Sequence, residues 1–286
     1  MTRRTSGLIG TVALALVSLL GVGPEAAEAQ DWRTVNLSRQ DDGIADAQVE
    51  VTYGAGRFTV GTAGHGLLYD MQLHYDAEHF EPVADWDGRR LELGVEGRGR
   101  NIRLGNGRDQ GELQLGLARG VPMDLTLEFG AVQADLDLGG LQLTGLDLST
   151  GASESTLDVS EPNPTRMQRA VFEVGAADFT ARRLGNLHAQ TIEVSAGVGS
   201  LTLWLNGEWE EDSRVAVKMG LGSLELRVPE GLGLRLNKES FLTSLDADGL
   251  EKRGDSYYSA DWDEAERRVT VDLNAAFGGV EVSWVR

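Results

Sequence analysis

One stretch, Ile192-Glu-Val-Ser-Ala-Gly197-Val-Gly-Ser-Leu-Thr-Leu203, recurs along this chain and limits what it can fold into. Counted from Gly197, apolar residues stand five and three positions before the glycine (Ile192, Val194) and four and six after it (Leu201, Leu203). Gly220 repeats the pattern with Val215, Val217, Leu224 and Leu226, and Gly175 with Ala170, Phe172, Phe179 and Ala181. Gly54 does so with Val49, Val51, Phe58 and Val60. Near the C-terminus Ala276 replaces the glycine between Val271, Leu273, Val280 and Val282. In the Gly130 and Gly151 units the pair before the glycine fits. The pair after it (Leu136 and Leu138; Leu157 and Val159) stands two residues late.

Alternation by two puts every second side chain on one face of an extended strand. The glycine admits positive φ where the chain must turn or bulge. A second glycine two positions on (Gly56, Gly199, Gly222, Gly278) tightens that turn in several copies. From Gly130 to Gly220 the steps are 21, 24, 22 and 23 residues. Such a period marks a solenoid, in which each unit buries its apolar face against its neighbours. The expectation is an all-β, stacked β-repeat of strand–glycine turn–strand units, with Gly54, Gly130, Gly151, Gly175, Gly197, Gly220 and Gly278 as structural turn residues. A β-sandwich of ordinary hairpins is the alternative, because it also spaces its turns regularly.

The other segments read as strands and turns. Leu67 to Tyr75 alternates clearly, Phe80 to Val83 is extended beside Pro82, and Leu91 to Val95 follows an Asp87-Gly88 turn. Gly97 to Gly111 reads as a loop or weak strand, and Glu161 to Pro164 as a loop or a short helix running on to Arg169. No long amphipathic helix is present.

The first residues form a targeting segment. Arg3 and Arg4 precede an apolar run from Leu8 to Val22, and Ala27-Glu28-Ala29 supplies small residues for cleavage before Gln30. The run falls short of the about 20 residues a membrane span needs, so a cleaved signal peptide is expected over an uncleaved anchor. The expected localisation is periplasmic or secreted, with no transmembrane segment after cleavage. The chain holds no cysteine, which excludes disulfides, thiolate metal sites and a lipoprotein anchor. Arg3 and Arg4 balance Glu25 and Glu28, so the exported chain keeps the full net charge of −19. That charge disfavours nucleic acid and anionic lipid as partners. Acidic residues on the outward face of the strands, such as Asp135, Asp137, Asp147, Glu193 and Glu225, account for it.

Residues able to do chemistry are few and scattered. His74 and His79 lie near Asp76, Glu78 and Glu81, but five residues is an odd step on a strand, so the two imidazoles face opposite ways unless a turn intervenes at Asp76-Ala77. Asp246-Ala-Asp248-Gly249 opens like a calcium loop and lacks the distal Glu, so it reads as a turn. Asp135 and Asp137 share a strand face, as a glycosidase pair might, but alternate with Leu136 and Leu138 and read as a solvated face. Ser200 and Ser223 occupy equal places in two repeat turns, and no nucleophile elbow or phosphate loop is present. Trp32, Trp86, Trp204, Trp209, Trp262 and Trp284 suit the ends and edges of a β-stack better than a glycan platform. No catalytic, metal or cofactor site is expected.

Two stretches carry a family resemblance. Tyr53-Gly-Ala-Gly-Arg-Phe58, then Gly66-Leu-Leu-Tyr69, Pro82 and Leu91, is similar to the N-terminal toast-rack domain. Gly254-Asp-Ser-Tyr-Tyr258 and Val269 to Val282 resemble the ending of the same proteins and of LiaF-type cell-wall stress proteins. The resemblance implies a stacked, mostly antiparallel β-structure and brings no catalytic residue. The expected organisation is a signal peptide at 1–29, a toast-rack-like β domain at 30–118 and a continuous β-repeat domain at 119–286. The expected function is a non-enzymatic binding module for an envelope protein or glycan, its oligomeric state open. The alternative is a regulatory component of an envelope-stress response.

Overall fold

A computed structural model describes residues 31–98 and 111–286, which belong to one compact unit, Asp31–Arg286. The expected targeting segment and most of the Gly97–Gly111 stretch lie outside the described residues. Sixteen strands make one continuous sheet. Among the described residues there is no α-helix, only a short 3-10 turn at Leu184–Leu187.

The repeat units are long strands that bend at the glycine instead of reversing. These are β2 (Ala47–Thr62), β7 (Pro122–Asp137), β10 (Met167–Arg182), β11 (Ala189–Trp204), β12 (Ser213–Pro229) and β16 (Arg268–Val285). Each has two arms. Val194 and Leu201 are seven residues apart in sequence and both buried. A straight strand would send them to opposite faces. The bend at residues 197–199 restores the parity, so both arms of a coil face the same core.

Neighbouring coils pair in parallel and in register. Leu125, Leu146, Ala170, Ile192, Val215 and Val271 form one buried row, and Leu127, Leu148, Phe172, Val194, Val217 and Leu273 another. The mostly antiparallel stack implied by the resemblance is thus corrected. Parallel pairing follows because each strand returns to the same starting side before the next begins, through a loop of several residues. Antiparallel pairs remain at the two ends of the stack, where hairpins close it.

Two coils are split. β8 (Gln142–Thr150) supplies the first arm of one, and β9 (Glu154–Asp158) the second; both lie between β7 and β10. Gly151 sits at the break. β5 (Arg90–Gly97) pairs with the first arm of β2, and β6 (Glu112–Leu117) with the second. β3 (Leu67–Asp76), β1 (Trp32–Gln40) and β4 (Phe80–Trp86) close this end by antiparallel pairing. Glu161 to Arg166 is a loop without helix.

The apparent two-residue slip after Gly130 and Gly151 does not exist in the structure. Ala134 and Ser155 fill the position four after the glycine, in register between Phe58 and Phe179. Both are buried. Small residues are needed there because phenylalanines from the flanking coils occupy the core. Leu138 and Val159 lengthen the arm; they do not displace it.

Stacking order departs from chain order at the C-terminal end. β16 inserts between β12 and β13 (Gly233–Asp246). Lys238 of β13 stands in register with Leu273, in an inward row, and its Nζ donates to the Thr243 carbonyl at 2.7 Å. A lysine is tolerated in that row at the end of the stack, where its ammonium reaches an edge carbonyl, and not between two apolar coils. β13 is therefore the last coil, closed by β15 (Ser256–Ser259) and β14 (Leu250–Arg253).

On the side away from the bends, two buried asparagines tie loops of successive coils. Asn163 Nδ2 donates to the Leu143 and Leu187 carbonyls (2.9 and 3.1 Å), and its Oδ1 accepts from the Leu143 amide at 3.0 Å. Asn186 Nδ2 donates to the Val159 carbonyl, and its Oδ1 accepts from the Glu208 amide. These bonds satisfy backbone groups of the strand ends and loops that the sheet ladder leaves unpaired.

Candidate functional site

The bends line up to make an open feature of the surface. Gly54, Gly130, Gly151, Gly175, Gly197 and Gly220 lie in successive coils with no side chain, and Ala276 continues the row. Two positions before them runs an outward row that includes Thr52, Glu128, Ser149, Glu173, Ser195 and Lys218. One position after them runs a second outward row, Ala55 and Ala131 at one end, then Ala176, Val198, Leu221 and Phe277. The glycine row is a floor between these two rows, and of the two only the first lines the hollows over it.

An open trough of about 750 Å³ covers the coils from Thr52 to Gly197. A second hollow of about 490 Å³ shares Ser195 and Gly197 with it and continues to Gly220 and Asn274. Together they cross the strands at right angles. Bulk is excluded from the floor by close approach of the coils. A methyl group on Gly175 would stand 2.7 Å from the Gly151 carbonyl oxygen, and one on Gly220 would stand 2.6 Å from that of Gly197. Gly278 belongs to a different row: it pairs with Gly222, two positions beyond the floor. Tyr53 lines the trough, and burial, aided by the charge of Glu112, holds its phenol far above the ordinary range. It stays a neutral phenol at any physiological pH.

The residues singled out for chemistry are not brought to this trough. His79 Nδ1 lies 2.7 Å from Asp76 Oδ2, and Glu78 joins them at the turn between β3 and β4. This turn falls at the expected place but leaves His74 out. His74 instead stacks on Trp32, with centroids 5.0 Å apart, and meets Thr34 Oγ1 at 3.0 Å. Burial alone would raise the Asp76 carboxyl. Its bonds with His79 and the Glu78 amide outweigh that and hold it below the ordinary carboxylate value. Both Asp76 oxygens thus serve the turn.

Asp135 points outward between Thr59 and Thr156. Asp137 Oδ1 accepts from the Gly139 and Ser160 amides at 3.0 and 3.1 Å, so it caps a loop. Ser200 and Ser223 are register partners on the outer face. The Asp248 carbonyl accepts from Trp284 Nε1. Trp204 lies under Arg227 at 4.5 Å and Trp86 under Arg39 at 5.6 Å, while Trp209 is buried with its Nε1 on the Leu205 carbonyl. No tryptophan lines either hollow.

The sequence reading missed Glu128, Ser149, Glu173 and Lys218. The signal for them was present: a polar residue stands two positions before the glycine in every copy from Thr52 to Asn274.

The model of the N-terminal domain of toast-rack matches residues 26–182 and again 172–227. The chain belongs to the toast-rack family. The stretches Gly254 to Tyr258 and Val269 to Val282, which carried the expected likeness to LiaF-type proteins, lie beyond the matched part. Among solved structures, a candidate cell adhesion protein from Clostridium sporogenes is 14% identical, with a TM-score of 0.46, covering 89% of this chain and 100% of its own. A candidate adhesin from Bacteroides fragilis is 14% identical, with a TM-score of 0.42, covering 89% of this chain and 98% of its own. At such scores they say nothing of what this toast-rack chain binds. No curated protein sequence matches the chain. Among the described residues, no helix is long and apolar enough to cross a membrane.

Proposed function

We propose that this toast-rack protein is an exported, non-enzymatic binding module that holds an envelope protein or glycan along its outer face. The observation that carries this reading is the trough. It crosses five coils without a break, its floor is glycine backbone, and beside the floor stand the carboxylates of Glu128 and Glu173 and the hydroxyls of Thr52, Ser149 and Ser195. A long open groove suits a polymer that makes many weak contacts, whereas an enzyme encloses its reacting atoms. Its lining residues include no histidine; the Ser149 hydroxyl meets only the exposed Glu173 carboxylate, at a long 3.5 Å.

Ser195 stands in the exposed row where the two hollows meet. With the chain immobilised and envelope extract passed over it, a retained component is expected on the unaltered protein and lost on Ser195→Trp. Equal retention on both would remove the trough from the reading. Turnover of any polysaccharide, abolished by Asp135→Asn with Asp137→Asn, would sink the non-enzymatic part. For export, sequencing the protein from its native cell is expected to begin at Gln30. Met1 retained in the membrane fraction would favour a membrane-anchored regulatory role instead.

A further inference from the structure

The trough is electrostatically uneven. Over β7, β8 and β10 its outer wall is Glu128, Ser149 and Glu173, and no Lys or Arg lines this hollow. Glu128 and Glu173 are exposed, and among the described residues neither is in a salt bridge. Glu193, the neighbouring outward carboxylate on β11, differs: Arg169 holds it through two bonds of 2.7 and 2.9 Å. The next outward row adds Asp147, and the charge of Arg169, bonded to Glu193, also acts on Asp147 and Glu173. The apolar part of the lining here is Phe129 and Val174, next to the glycines. The site thus sets exposed carboxylates beside a floor of glycine and apolar residues.

Its backbone is already in use. The Gly151 amide donates to the Phe129 carbonyl and the Ala176 amide to the Gly151 carbonyl, both at 3.0 Å. A guest cannot add a strand here by ladder bonding, so recognition falls to side chains. Spacing then selects the guest. Coils stack about 4.8 Å apart, which sets Glu128 and Glu173, two coils apart, on the order of 9.6 Å from each other. A polyproline-II segment presents the same face every third residue, about 9.3 Å along its axis. An extended β segment repeats its face every second residue, about 6.8 Å, and falls out of step. Polyproline II also has no internal hydrogen bonds, so it loses none on docking.

We propose that this section of the trough takes an extended, polyproline-II-like segment of a partner protein with Lys or Arg at every third position. Its cations lie on Glu128 and Glu173, and its intervening apolar residues lie on the glycine floor. The inference rests on the binding reading above and names the class of partner.

The test uses the whole exported chain and a labelled peptide of repeated Lys-Pro-Pro, read by fluorescence anisotropy. The comparison peptide has the same composition with its lysines gathered at one end. The regular peptide is expected to bind more tightly, and its affinity to fall about tenfold in Glu128→Gln/Glu173→Gln, since two exposed ion pairs are lost. Glu281→Gln, an exposed carboxylate on the other arm, is expected to leave it unchanged. Equal binding of the two peptides, or equal losses in the double variant and in Glu281→Gln, would overturn the proposal by assigning the attraction to overall charge. A soluble envelope glycan that binds in a Ser195→Trp-sensitive way, with no binding of Lys-Pro-Pro, would overturn it too while leaving the binding reading intact.

Discussion

Gly222 and Gly278 face each other across the β12–β16 seam, and a methyl group on Gly278 would stand 1.7 Å from the Gly222 carbonyl oxygen. The relation repeats one coil earlier, where a methyl on Gly222 would stand 1.8 Å from the Gly199 carbonyl. Both glycines also have positive φ, 149° at Gly222 and 138° at Gly278. Close approach and backbone conformation therefore make the same demand. This is what lets successive coils bend in parallel over one core.

Gly278→Ala is expected to cost about 3 kcal/mol or more, because strain and collision add. Gly254 is the control. It too has positive φ, 65°, but nothing lies within 4 Å of an added methyl. Gly254→Ala is expected to cost only about 1–2 kcal/mol, the left-handed penalty alone. Urea unfolding measures both. Equal costs would mean that the contact between coils is not what selects glycine.

Core volume at the split coil gives a second prediction. Ala134 and Ser155 are small where Phe58 and Phe179 are large, in one register row. Ala134→Leu overfills that row and is expected to cost about 1–3 kcal/mol. Phe179→Ala empties it and is expected to cost about 3–5 kcal/mol. If Ala134→Leu proved neutral in thermal unfolding, the row would be looser than its complementary sizes require.

Asn163 is nearly inaccessible, at 1% exposure, and its amide donates to two carbonyls. Asn163→Asp keeps the shape and replaces the donor by an acceptor. The carboxyl's folded pKa is then raised, so stability is present while it is protonated and lost as pH rises above the ordinary carboxylate value. A loss of about 2–4 kcal/mol is expected at pH 7, partly recovered near pH 4. A loss that does not change with pH would show that the amide donors are not what matters.

Asp76 has the opposite sign. Its folded pKa lies below the usual value, so its contribution is complete above about pH 4 and disappears as pH falls through the folded value. Asp76→Asn is expected to destabilise by about 1–2 kcal/mol at pH 7, with the gap to the unaltered chain closing toward pH 2. Guanidinium titrations at the two pH values decide it. A gap that widens on acidification would contradict the assignment of the carboxylate's bonds to the turn.

The repeat was legible because burial imposes a strict period. Ile192, Val194, Leu201 and Leu203 are buried, as their counterparts are in each neighbouring coil, and their positions from the glycine needed no three-dimensional information. The hairpin strands from Leu67 to Val95 were legible for the same reason. The trough was legible only in part. Its glycine floor stood out, but as turns, because a glycine inside a bent strand and a glycine in a reversal leave the same trace in sequence. Its walls were hidden in the alternation, where Glu128 and Glu173 look like any solvated outward residue.

Local pattern by itself determined that the chain is all-β, where the coils bend and which side chains enter the core. These depend on near neighbours and on hydrophobicity alone. Tertiary structure decided the rest: parallel pairing, the insertion of β16 between β12 and β13, and the filling of the gap between Phe58 and Phe179 by Ala134 and Ser155. Each of these is a choice among partners distant in the chain. The returning loops, side-chain volume and the placement of one inward lysine settle them in turn, and no stretch of sequence carries that information alone.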